Sequence, residues 1–279
     1  MRKIFLFIFL FVMPSAALAQ QGARQFEKFN LQGYTDTGAK AWDVKGDTAQ
    51  IEGNTVHINN VDANRYGDQQ VNLTADKGQL NKESGNIHLE KNVIITAKEG
   101  GQLKTDHLDW DKNNDLVKTD APVVITQPSQ GMTATGTGLE AQPGLKTAQM
   151  MQDVTVTMKP DKTQNPGSPV QTVTITCDGP MEVDQKINKA TFNINVVAIE
   201  TDRTLKADIM EVFFDPDTNQ IKQAICTGHV HIIQGGNMTN SDKAVFNGDD
   251  RTLTLTGRPK LIMVTGGKGA MPSLKDKEK

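Results

Sequence analysis

Short alternations of apolar and polar residues cover most of the chain. Val71/Leu73, Ile87/Leu89, Leu108/Trp110, Val154/Val156/Met158, Val173/Ile175, Phe192/Ile194/Val196, Leu253/Leu255 and Leu261/Met263 each place apolar side chains two residues apart. A period of two buries one face of a strand and leaves the other in water. Between these segments lie Asn81-Lys82-Glu83-Ser84-Gly85-Asn86, Asp111-Lys112-Asn113-Asn114-Asp115, Asp215-Pro216-Asp217-Thr218-Asn219 and Asn247-Gly248-Asp249-Asp250. Such clusters are hairpin chemistry rather than helix caps. The pattern predicts an all-β protein of antiparallel strands, each of roughly five to eight residues, stacked rung on rung. No amphipathic helix is expected.

The alternations belong to a repeat. A small residue followed by Asp recurs at Ala75-Asp76, Thr105-Asp106, Cys177-Asp178, Ala207-Asp208 and Ser241-Asp242, with Ala134-Thr135 filling one position. A Val-x-apolar motif runs in parallel through Val93, Val123, Val154, Val196 and Val230. Both series advance by about 30 residues and share one long step, Thr135 to Asp178 and Val154 to Val196. The Asp series reads as structural, at strand starts. The long step contains Pro160-Asp161-Lys162-Thr163-Gln164-Asn165-Pro166-Gly167-Ser168-Pro169, which reads as an exposed linker. It divides the array into modules at 40–159 and 170–264. Residues 20–35 and 265–279, polar and rich in Gly or Lys, are expected to be disordered tails.

Met1-Arg2-Lys3, the apolar run Ile4 to Met13, the break at Pro14-Ser15 and the small residues of Ala17-Leu18-Ala19 form a secretory signal over residues 1–19. Cleavage before Gln20 predicts an exported protein; retention of the run would make it a membrane anchor. Ten apolar residues span only ~15 Å as a helix, half a bilayer's hydrocarbon, which favours cleavage. In an oxidising compartment Cys177 and Cys226 are either disulfide-bonded or two buried thiols.

Composition narrows the function. The 30 basic residues against 33 acidic ones exclude a polybasic nucleic-acid binder. Aromatics make up 5% of the chain, whereas Thr occurs 29 times, as in a large sheet with an aliphatic interior.

Catalytic and metal chemistry find little support. Asp106, Asp109 and Asp111 surround Trp110, and paired carboxylates beside an aromatic can cleave glycosides. Asp109 and Asp111, however, point to one strand face and Trp110 to the other. His229 and His231 share a face near Cys226 but have no third ligand at a recognised spacing. Gly136-Thr137-Gly138 precedes no helix pattern and is no dinucleotide loop. Neither an enzyme nor a cofactor is expected.

Gly101-Gln102-Leu103-Lys104-Thr105-Asp106-His107-Leu108-Asp109-Trp110-Asp111, Thr119-Asp120-Ala121-Pro122-Val123 and Thr135-Gly136-Thr137-Gly138-Leu139-Glu140-Ala141 resemble the LptC family of lipopolysaccharide-export proteins. Cys177-Asp178-Gly179-Pro180-Met181-Glu182-Val183-Asp184, Leu205-Lys206-Ala207-Asp208-Ile209-Met210-Glu211-Val212 and Leu255-Thr256-Gly257-Arg258-Pro259-Lys260-Leu261 resemble the OstA-like domain of the LptA family. The resemblance implies an elongated open antiparallel β-jellyroll of two stacked modules, with lipopolysaccharide acyl chains in an apolar slot. Its implied partners are lipopolysaccharide, the inner-membrane lipopolysaccharide-export ABC transporter and other OstA-like jellyrolls, including further copies of this chain. Two features depart from the LptC pattern: a cleavable signal replaces the usual membrane helix, and both modules share one chain.

The physical chemistry is compatible with such a role. Burying a methylene is worth ~0.8 kcal/mol, so a ~14-carbon chain crossing water bare costs on the order of 10 kcal/mol. A carrier must therefore cover its cargo. The inner-face positions expected to do so are Val93, Ile95, Leu108, Trp110, Val123, Ile125, Val154 and Val156 in the first module. In the second they are Met181, Val183, Val196, Val212, Phe214, Val230, Ile232, Leu253 and Leu255. The competing reading is an exported structural or adhesive β-repeat protein in which these residues fill a closed core. Edge strands near 47–58 and 252–264 are expected to dock other chains.

Overall fold

The computed structural model describes residues 24–67, 70–159, 172–216, 218, 220–250 and 252–263. The signal at 1–19, the linker at 160–169 and the tail at 265–279 lie outside them. Among the described residues, seventeen strands form one antiparallel sheet. They are β1 (Arg24–Tyr34), β2 (Lys40–Glu52), β3 (Thr55–Arg65), β4 (Val71–Asn81), β5 (Ile87–Ala97), β6 (Gln102–Asp111), β7 (Leu116–Gln127), β8 (Met132–Gln142) and β9 (Thr147–Met158). They continue as β10 (Val173–Cys177), β11 (Met181–Asp184), β12 (Lys189–Glu200), β13 (Arg203–Phe214), β14 (Ile221–Gln234), β15 (Asn237–Asn247), β16 (Thr252–Thr256) and β17 (Lys260–Ile262). Pairing follows chain order from β1 to β9. β10 and β11 together fill one strand position, each pairing β9 on one side and β12 on the other. Likewise β16 and β17 share the last position beside β15. Fifteen strand positions at ~4.8 Å spacing give a sheet ~70 Å long.

Most strands are longer than the alternations predict, with β2 and β14 reaching 13 and 14 residues. The reason is a corner in mid-strand. Two short alternating segments form one strand whose phase slips where it bends. In Ala75-Asp76-Lys77-Gly78, Thr105-Asp106-His107-Leu108, Ala207-Asp208-Ile209-Met210 and Ser241-Asp242-Lys243-Ala244, the inward positions stand three apart and two residues project outward. Ladder registers shift at these places, between Thr74 and Lys77, Thr105 and Asp109, and Lys206 and Ile209. The recurring Asp therefore marks corners rather than strand starts. The neighbouring strand often turns its corner through a residue at positive φ, as at Asn60, Asn92, Asn195 and His229. Its side chain closes on the aspartate: Asn60 on Asp47, Asn92 on Asp76 at 2.8 Å, Asn195 on Asp178 and His229 Nδ1 on Asp208 at 2.8 Å. Asn tolerates the left-handed region and its amide satisfies the carboxylate, so each pair fixes a bend at both strands.

Residues 24–34, expected within a disordered tail, form β1 and pair along β2 from Arg24↔Ile51 to Tyr34↔Lys40. Phe29 lies over Gly46 and Trp42 over Gly33, where a Cβ on either glycine would collide with the ring. These reciprocal contacts seat β1. Consequently residues 47–58 are flanked by other strands, and the exposed first edge is β1.

Candidate functional site: an apolar interior reaching both edges

Register pairing assembles the inward residues into two rows, one on each limb of the bent strands. The first runs Phe26–Ala49–Ile58–Gly78–Leu89–Leu108 in β1 to β6 and resumes as Leu139–Met150–Met181–Phe192–Met210–Cys226–Ala244–Leu255 from β8 onward. The second runs Leu31–Val44–Ala63–Leu73–Ile95–Leu103–Ile125–Ala134–Val156–Ile175–Ala198–Leu205–Ile232–Thr239–Leu261. Between them, at the corners, Val61, Val93, Val123, Val154, Val196 and Val230 are buried. Both limbs contribute to the same clusters: Val156 and Ile175 pack with Met181 and Phe192 in one, Ala63, Leu73 and Ile95 with Leu89 and Leu108 in the other. The rows emerge at the edges, where Phe26, Leu31 and Leu261 are 50%, 56% and 60% exposed.

The sequence-predicted inner residues separate by depth. Val93, Leu108, Val123, Val154, Val156, Met181, Val196, Val212, Val230 and Ile232 are buried. Ile95, Trp110, Ile125, Val183, Phe214 and Leu255 are half-buried. Leu253 is in register with Phe246 on the last strand position and is 38% exposed, because no further strand covers it. Sequence reasoning missed Leu31, Leu139, Met150, Phe192, Leu205 and Met210, which complete the rows; for Met210 the three-residue slip after Ala207-Asp208 was the signal.

Polar groups lie mainly outside or are satisfied locally. His88 Nδ1 meets Asp109 at 2.6 Å and Nε2 meets Glu90 at 3.0 Å, while His107 pairs with Asp120 at 2.6 Å. Asp109 raises the His88 pKa, with Glu90 adding to the effect. Asp111 instead accepts from the Asn113 and Asn114 backbone in its turn. His231 meets Asn240 at 2.7 Å. Among the described residues, no group of three or more His, Cys, Asp or Glu is placed to hold a metal ion. Cys177 and Cys226 are free and buried, and burial pushes the Cys226 thiol up to about 12.

A single antiparallel sheet, bent along its length around an apolar interior, defines an open β-jellyroll. Over residues 14–159, just over half the chain, it matches the family described as lipopolysaccharide-assembly, LptC-related. Residues 174–270 match the family of the LptA/(LptD N-terminal domain) LPS transport protein. The chain belongs to the LptC-related lipopolysaccharide-assembly family, carries an LptA-like second part, and has a role in lipopolysaccharide transport. Among solved structures it is similar to LptH of Pseudomonas aeruginosa, described as the LptA-homologous periplasmic component of the lipopolysaccharide transport device. The likeness has 13% identity and a TM-score of 0.38, covering 49% of this chain and 96% of that one. No curated protein matches the chain.

Proposed function

We propose that this chain holds the acyl chains of lipopolysaccharide in its interior and forms a segment of the periplasmic bridge from inner to outer membrane. The observation carrying this reading is the pair of apolar rows, the first interrupted at β7, that run along the sheet and end in exposed Phe26 and Leu31 at one edge and exposed Leu261 at the other. A closed-core β-repeat protein would also bury its corner valines, but would gain nothing from Phe26, Leu31 and Leu261 left open at the row ends. The sugars remain outside, over the polar face. The β1 edge and the β16–β17 edge receive neighbours by strand addition: the inner-membrane export transporter, other OstA-like jellyrolls or another copy. Conduction requires no bond chemistry from this chain.

Photo-crosslinking amino acids at half-buried inner positions Ile95, Ile125 and Leu205 should label lipopolysaccharide. The same groups at outward Thr126 and Lys206 should not. Equal labelling of both sets, or none at the inner set, overturns the proposal.

A further inference from the structure

The first row changes character along its length. In β3 to β8 its large residues are the branched Ile58, Leu89, Leu108 and Leu139. From β9 to β14 they are Met150, Met181, Phe192, Met210 and Cys226, in direct register across adjoining strands. Met132 and Met158, paired with each other on the opposite limb, join the same cluster. The smaller cluster around Val93 contains no methionine. This concentration surrounds β9–β10–β11, where the LptC-related match gives way to the LptA-like one. Gly136 makes room for it: a Cβ there would collide with the Met150 thioether.

Thioether side chains are unbranched, with three rotatable bonds and a polarizable sulfur, so they repack around differently shaped apolar partners. Met150 is 1% exposed, Met210 4% and Met181 8%. The interior is filled here as it is around Val93, Leu89 and Leu108. A hydrocarbon chain can therefore pass only where side chains yield, and unbranched thioethers yield most readily. We propose that Met150, Met181 and Met210 form a compliant throat that repacks to admit acyl chains from the first half into the second. This inference rests on the lipid-carrying reading above and adds where passage is controlled, and by what. The property required is side-chain flexibility rather than sulfur chemistry. Branched leucines of similar volume keep the core filled but adapt less readily.

The test uses the full chain, purified lipopolysaccharide, and photo-crosslinkers at Ile95 in the first half and Leu205 on the facing row of the second. In the Met150→Leu/Met181→Leu/Met210→Leu variant, labelling at Ile95 should persist while labelling at Leu205 falls about 5-fold. The fall follows from the loss of adaptable packing. Protein whose methionines are replaced by norleucine, which is unbranched but lacks sulfur, should label at both positions like the unsubstituted chain. Unchanged labelling at Leu205 in the leucine variant overturns the throat. So does loss of that labelling with norleucine. Should the leucine variant fail to melt cooperatively, Met150→Leu alone serves, with the same two outcomes. Absence of labelling at both positions in the unsubstituted chain overturns the carrier reading itself, and the throat with it.

Discussion

Asp43 is the most enclosed carboxylate among the described residues, 2% exposed although it belongs to a polar ladder between β2 and β3. Lys40 is its ion partner, Asn64 donates at 2.8 Å and Tyr66 Oη at 2.9 Å. The Lys40 ammonium, followed by the Asn64 amide, holds its pKa at about 2, against 3.8 for an ordinary Asp. A depressed folded-state pKa contributes stability that is complete above 3.8 and declines as pH falls toward 2. Asp43→Asn should flatten acid unfolding in that window, followed by Trp42 fluorescence, whereas Asp43→Ala should cost about 1–3 kcal/mol at neutral pH. The two thiols provide a second test at this scale. Cys177 and Cys226 are buried with raised pKa values, desolvation being the main cause for both. Ellman's reagent should find both unreactive in native protein and both reactive in denaturant, with no reductant needed. The sequence left a disulfide open because it does not show that two strands, β12 and β13, separate β10 from β14 along the sheet.

Strands form here because alternation buries one face, and that was legible in the sequence; the corner was not. A phase slip looks like two short strands when read by period alone, so the predicted strands came out too short. The same slip hid β1. Phe26 and Leu31 stand on opposite parities around Lys28, at φ 48°, yet both join inward rows, through Ala49 and Val44. Local composition therefore read as a polar tail. Alternation reaches the corner valines and, beyond a slip, Leu108 and Met181, but it does not show that Leu139, Met150, Phe192 and Met210 continue the same row. If Asn at positive φ builds the corners, its replacement should cost more than an ordinary surface change. Asn92, at φ 51°, and Asn195, at φ 55°, are the cleanest sites. Asn92→Val or Asn195→Val should destabilise by about 1–2 kcal/mol, since a β-branched residue resists the left-handed region and the Asp76 or Asp178 contact is lost. Glycine there should restore part of the loss by relieving backbone strain. Urea unfolding of the two series separates backbone strain from the lost hydrogen bond.

At the scale of the molecule, the boundary between the two family matches does not interrupt the pairing of the sheet. β9 pairs with β10 from Val173↔Met158 to Cys177↔Val154, and with β11 from Met181↔Met150 to Asp184↔Thr147. The larger cluster spans the same seam, running from Val123 and Ala134 through Val156, Ile175 and Phe192 to Ala244. The smaller cluster lies wholly within the first match, and Leu103 packs against both. Energetically, then, the seam resembles the interior of a domain rather than a joint between domains, whose interfaces are usually smaller and more polar. The covalent connection through 160–171 should therefore be dispensable once the chain has folded. A protease site placed in that segment should, after cleavage, yield two fragments that co-elute on gel filtration and separate only in denaturant. The second fragment expressed alone would expose the β10–β11 edge together with Met181 and Ile175, and should aggregate or associate with itself. Separation of the cleaved fragments under native conditions would mean that the chain is two jellyrolls in series. Cargo would then have to cross water between them, at a cost of ~0.8 kcal/mol for every methylene left uncovered.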